Sequence, residues 1–289
     1  MQRLHSLNLP RLEQATLCPD GISVLAVGFP GVFRYDLSTG QRTCTYQETG
    51  NYVCWEAAVS ADEKFVVAGF GNKTLRIWDY ASGQHLRKLA GHDGIVTSSA
   101  LAEKRLALTG APDQTVRLWD CQTGQELHCM ETDKAVTWKV AIAGNGKVGI
   151  SCGSARTNDA VVWDLKSGAE QGRLAGHTKR LNAVALSRDG SQALTGSSDT
   201  TVKLWDTASG AELQTLDGHR KGIKCVAFSP NDQLAASGAG DRTAIVWDLA
   251  TGDALHTIKC TGPVCRVGFS GTSRLMTACE NADISLWEW

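Results

Sequence analysis

Short apolar runs follow one another along the whole chain, each ended by a cluster of Gly, Asn, Asp or Ser. CVAFS (225–229), LAASG (234–238) and AIVWD (244–248) show the rhythm within one stretch. Runs of that length, with turn residues between them, predict short antiparallel strands. No stretch reaches the roughly 18 to 20 uninterrupted apolar residues that cross a bilayer as a helix.

The strands repeat as a set. An apolar run closing on Trp and an acidic residue recurs as LRIWD to Asp79, VRLWD to Asp120, VVWD to Asp164, VKLWD to Asp206, IVWD to Asp248 and ISLWE to Glu288. VFRYD to Asp36 is a weaker copy with Tyr35 in the aromatic place. The aromatics at 35, 78, 119, 163, 205, 247 and 287 are spaced by 43, 41, 44, 42, 42 and 40 residues. Five residues after each of the first six stands a glycine, from Gly40 to Gly252, which predicts a turn after each Trp-bearing strand. A lone four-stranded sheet leaves both faces bare, so repeated sheets must stack on each other and bury them mutually.

A period near 42 with this signature resembles the WD-repeat (WD40) family across essentially the whole chain, and the resemblance implies an all-β, seven-bladed propeller. The C-terminal copy stops at Trp289 after three strands, while a spare strand-like segment, Gln2–Leu9, stands at the start. In the resembling family the two ends share a blade. The expectation is therefore one propeller over 1–289, with residues 1–9 supplying the fourth strand of the last blade.

Three copies carry His, a hydroxyl, Asp and Trp at matching offsets: His92, Thr109, Asp113, Trp119; His177, Thr195, Asp199, Trp205; and His219, Ser237, Asp241, Trp247. A hydroxyl, His and Asp invite a hydrolase reading, but a triad needs one nucleophile at one cleft. A trio repeated in three blades, each with an indole donor, reads as internal bracing, and the resemblance implies the same hydrogen-bonded tetrad. Other copies depart from it. Asn72 and Asn281 take the Asp place, Thr49, Thr132 and Cys260 take the His place, and the fourth copy has an irregular turn, SARTND (154–159). The ring is expected to open most easily near its first and seventh blades.

Composition narrows the function. Lys plus Arg is 29 against 30 for Asp plus Glu, which argues against a whole-surface binder of nucleic acid or acidic membrane. The ten cysteines form no CxxC pair and mostly sit in apolar runs, as small buried side chains of a reducing, intracellular protein do. The start lacks the pattern of a secretion signal. No phosphate-binding glycine loop, dinucleotide fingerprint or HExxH is present, so neither cofactor nor metal is expected. His5, His128 and His256 echo one another in fourth strands, too far around the ring to share an ion. The places where one ligase-receptor branch of the family often has Arg hold Ala81, Gln122, Lys166, Ala208 and Ala250.

What remains is a docking surface. In the resembling family, ligands meet the face formed by the loops entering the first strands and by the Asp-bearing turns. Matching places here are Arg11, Glu13, Tyr52, Cys54, Ile95, Thr97, Pro112, Thr137, Arg180, Asn182, Ser198, Lys224, Pro263 and Glu280. HTKR (177–180) and HRKGIK (219–224) add Lys179, Arg220 and Lys221 on neighbouring blades, with Arg156 beside them. The expectation is a non-catalytic scaffold or adaptor in the cytoplasm or nucleus, binding a protein or peptide that is acidic or phosphorylated. A monomeric propeller is the default. Nucleic-acid binding through the basic sector and an enzyme with an unrecognised pocket in the channel are the rival readings. Neutral charge and few loop aromatics count against the first.

Overall fold

The strands form, and they form as seven sheets. A computed structural model describes residues 1–9, 12–28, 31–47, 52–103, 105–132, 136–154 and 158–289. Among them the chain makes 28 strands, numbered β1 to β28 in order, and no helix. They assemble into seven four-stranded antiparallel sheets. The innermost strands are β2 (Leu12–Leu17), β6 (Cys54–Val59), β10 (Ser98–Leu101), β14 (Val136–Ile142), β18 (Leu181–Leu186), β22 (Ile223–Phe228) and β26 (Val264–Ser270). Each packs on the next, and β26 returns to β2, which makes the arrangement a closed ring around a channel.

Closure is made by the two ends. The last sheet runs β1 (Gln2–Asn8), β28 (Asp283–Glu288), β27 (Arg274–Cys279) and β26. β1 pairs antiparallel with β28 from Gln2↔Glu288 to Asn8↔Asp283, with an irregularity between Arg3 and His5. Its Leu4 and Leu7, with Leu9 beyond it, pack on a core that includes Leu37, Met276, Ile284 and Leu286. Arg3 adds an ion pair to Asp283 at 2.8 Å.

Blades lie close where a glycine faces a branched residue across the seam, as Gly69, Gly110, Gly196 and Gly238 do. A Cβ placed on Gly196 would sit 2.5 Å from the Ile223 side chain, and one on Gly238 equally close to Val264. Any side chain there would push neighbouring inner strands apart, which is why the second strands read LTGS and ASGA. The glycines five residues after the aromatics have φ between 71° and 83°, a left-handed turn that glycine makes without steric cost. Six of the ten cysteines are buried, and Cys129 alone is exposed.

Candidate functional site

The inner strands share a local irregularity that decides what reaches the docking face. Pairing skips one residue at the start of β2, β6, β14, β18, β22 and β26. The skipped residues are Glu13, Trp55, Trp138, Asn182, Lys224 and Cys265. Thr97 holds the equivalent place just before β10, where its N–H donates to Gly110 O. A bulged residue is turned out of the sheet, so these six form a rim at one mouth of the channel, and Glu56, Lys139, Ala183, Cys225 and Arg266, each next after a bulge, line the channel wall.

Two of the expected docking residues are corrected by this geometry. Cys54 and Thr137 are 0% and 2% exposed, because each is the ladder residue before the bulge and its side chain points into a blade seam. The rim is occupied by their neighbours Trp55 and Trp138, 42% and 39% exposed. Tyr52 is also exposed, while Ile95 is half-buried. Thr97 is buried and holds blades together, its Oγ1 donating to Gly110 O and Thr137 O. Arg11, Thr49 and Arg156 lie outside the described residues.

The other side of the rim is polar and cationic. Lys179, Arg180, Arg220 and Lys221 are exposed on adjacent blades. Arg180 Nε donates to Asn182 Oδ1 at 3.1 Å, and Asn182 Nδ2 donates to Ser198 Oγ and Ile223 O. Lys224 is not a free cation: its Nζ pairs with Glu280 at 2.6 Å. Arg180, Asn182, Ser198 and Lys224 edge a hollow of about 490 Å³ that Gln14 and Cys265 close from the far side. The rim is therefore divided, aromatic at the second and fourth blades and basic at the fifth and sixth.

One step down the wall, three charges meet across the channel. Glu56 of β6 is 3% exposed, and its Oε1 accepts from Arg266 Nη2 of β26. Both of its oxygens lie 3.3 Å from Lys139 Nζ of β14. Ser98 Oγ donates to Oε2 at 2.6 Å and accepts from Val140 N. Burial pushes the Glu56 pKa up, but the two cations and the hydroxyl outweigh it and hold the carboxyl at about 2. The second, fourth and seventh blades are thus tied together through open space. Around this bridge the channel encloses about 600 Å³.

The three polar tetrads lie away from both features, between strands. In the fifth blade His177 Nδ1 sits 2.8 Å from Asp199 Oδ2, His177 Nε2 sits 2.8 Å from Thr195 Oγ1, and Trp205 Nε1 donates to that Oγ1 at 2.7 Å. His92, Thr109, Asp113 and Trp119 repeat the arrangement, as do His219, Ser237, Asp241 and Trp247. Burial, the largest influence, lowers the pKa of each histidine against the opposing pull of its aspartate, so each ring is neutral. A neutral ring donates from Nδ1 to the carboxylate and accepts at Nε2 from the hydroxyl. Thr109, Thr195 and Ser237 are 0% exposed, which leaves their oxygens no route to a substrate.

The second blade lacks this chain of bonds. Ala68 takes the hydroxyl place, and the buried Trp78 Nε1 has no partner among the described residues. Ala68→Ser is expected to give that indole an acceptor, while Arg76 O, opposite in the ladder, takes the new hydroxyl proton. Stability should rise by about 0.5–1.5 kcal/mol, read as a higher urea midpoint at unchanged slope. A midpoint that stays or falls would refute the account.

Comparison with known proteins agrees with the architecture. A family model described as WD domain, G-beta repeat matches residues 40–79, 83–120, 168–206 and 210–248, together more than half of the chain. Autophagy-related protein 16 of Arabidopsis thaliana is 28% identical over 167 residues, covering 53% of this chain and 30% of the relative. Eukaryotic translation initiation factor 3 subunit I of Bombyx mori is 23% identical over 175 residues, covering 57% of this chain and 53% of the relative. The chain thus spans about a third and about half the length of these curated relatives.

Proposed function

The chain belongs to the WD40 family, and from that premise we propose that it is a non-catalytic docking platform that binds a protein segment across the divided rim. The segment carries apolar side chains for Trp55 and Trp138 and acidic or phosphorylated residues for Arg180, Lys221 and their neighbours. The observation that carries this reading is the pair of exposed indoles, 42% and 39% open to solvent, on the same rim as an exposed cationic sector. Exposed Trp is costly on a surface with no partner, and Trp and Arg are the residues that dominate binding energy in protein interfaces. WD40 propellers are generally protein-interaction scaffolds. One relative is named as a subunit of a translation initiation factor, and the role carried over to this chain is membership of a multiprotein assembly in the cytoplasm.

Selection from a random peptide display library on the immobilised protein tests the proposal. Enriched peptides are expected to combine an aromatic or aliphatic anchor with several acidic residues. Trp55→Ala or Trp138→Ala should each weaken such a peptide by about 2 kcal/mol, roughly thirtyfold. Arg180→Glu with Lys221→Glu should weaken it severalfold and flatten its dependence on salt. Enrichment of basic peptides, or binding indifferent to all four positions, would refute the reading.

A further inference from the structure

The bridge in the channel does not balance its charge. Of the residues that follow the bulges, Glu56, Lys139, Ala183, Cys225 and Arg266 line the channel space, one of them anionic and two cationic. A carboxylate held at about 2 is fully ionised near neutral pH, so the group keeps one positive charge in excess inside the channel. Uncompensated charge in a partly enclosed space favours a counter-ion beside it. Neither cation is sealed off: the Lys139 and Arg266 side chains are 22% and 24% exposed, and both line the channel space.

Donors remain as well as charge. Arg266 gives one hydrogen bond, from Nη2, among the described residues, and its side chain lines the channel space. Among the described residues Lys139 donates to both oxygens of the same carboxylate. Both cations meet on Oε1 of Glu56, so one further anion reaches both from the open side. We infer that the channel mouth is a binding site for a single anionic group, a carboxylate or a phosphate, seated between Lys139 and Arg266 opposite the buried Glu56. Glu56 has two functions in this arrangement. It fixes the two cations in place, and by competing for them it keeps affinity for the incoming group modest. Trp55 and Trp138 stand on the rim immediately above Glu56 and Lys139, so the group enters between them. The site itself does not depend on the docking proposal; only the delivery of the anion by an acidic side chain of a docked segment rests on it.

The probe is inorganic phosphate, titrated at ionic strength held constant with sodium chloride, with thermal midpoint and calorimetric binding as readouts. Phosphate is expected to raise the wild-type midpoint by a few degrees with one saturable site. Lys139→Gln leaves Glu56 and Arg266 paired and should abolish the effect without loss of the fold. Glu56→Gln removes the competing charge and should tighten phosphate at least about tenfold; where that variant does not fold, Lys139→Gln still decides. A wild-type midpoint indifferent to phosphate, or a Lys139→Gln protein that responds as wild type does, overturns the site. Phosphate that displaces a rim-bound peptide assigns the group to an acidic side chain of the partner. Phosphate that binds alongside the peptide assigns it to a free anion, and either result supports the site. Failure to select any acidic peptide leaves the phosphate result standing, so the two readings fail separately.

Discussion

Removal of residues 1–9 is expected to open the ring and cost on the order of 4–6 kcal/mol. The estimate follows from what β1 covers. Leu4, Leu7 and Leu9 leave the core around Ile284 and Leu286, each taking with it part of the roughly 1.5–3 kcal/mol that burying such a side chain contributes. The ladder from Gln2↔Glu288 to Asn8↔Asp283 is lost at the same time, and β28 becomes a bare edge with Trp287 and Leu286 beside it. An edge of that kind pairs with other chains, so aggregation should accompany the loss of stability. The truncated protein should unfold at markedly lower denaturant and elute partly as higher oligomers. A synthetic peptide of residues 1–9 added in trans should restore the midpoint. A truncation that keeps the wild-type midpoint and remains monomeric would mean that the propeller does not depend on this seam.

The closed ring was legible in the sequence because its signals are local and repeated. Six of the seven copies carry their own turn glycine, and seven copies with a spare N-terminal strand leave one way to close. The rim was legible only in part. At the fifth and sixth blades a His anchors the count, which lands on the inner-strand entry at Arg180, Asn182 and Lys224. The second and fourth blades have no such His, and counting forward from their loops lands one residue short, on Cys54 and Thr137. Counting back from the other end of the strand avoids the error. The residue five before Ser60, Ser187, Ser229 and Ser270 is Trp55, Asn182, Lys224 and Cys265, the bulged residue in every case. The same count from Ala143 gives Trp138. The channel bridge had no such signal. Glu56, Lys139 and Arg266 stand in three blades that are not neighbours, and only the curvature of the ring brings them together. Lys224 looked free for a related reason, since Glu280 belongs to the next blade's turn.

Asp199→Ala is expected to destabilise the protein by about 3 kcal/mol, because it takes a charged acceptor from four donors and a hydrogen bond to a charged group contributes about 1.5–3 kcal/mol. Oδ2 accepts from His177 Nδ1 at 2.8 Å and from Thr178 N at 3.0 Å, while Oδ1 accepts from Thr201 N at 3.0 Å and Thr201 Oγ1 at 2.7 Å. Alanine leaves all four donors without their acceptor, and the His177 side chain is fully shielded from solvent. The thermal midpoint should fall by roughly 6–10 °C. The size of the defect should also depend on pH. Burial pushes the Asp199 pKa up, but hydrogen bonds from Thr201, His177 and Thr178 outweigh it and hold the pKa at about 2, below the ordinary 3.8. A depressed carboxylate pKa stabilises the fold above the unfolded value and loses that contribution as pH falls toward the folded one. The gap between wild type and variant should therefore be constant from pH 7 to about pH 5 and narrow between about 3.8 and 2. The three histidines act higher. Their lowered pKa values mean that the unfolded chain takes up protons first, so the wild type should already lose stability as pH drops below about 6.5. Because that loss comes from burial of the rings, it should persist in the variant, in contrast to the narrowing gap near pH 3. Equal midpoints for the two proteins at pH 7 would show that Asp199 does not brace the blade.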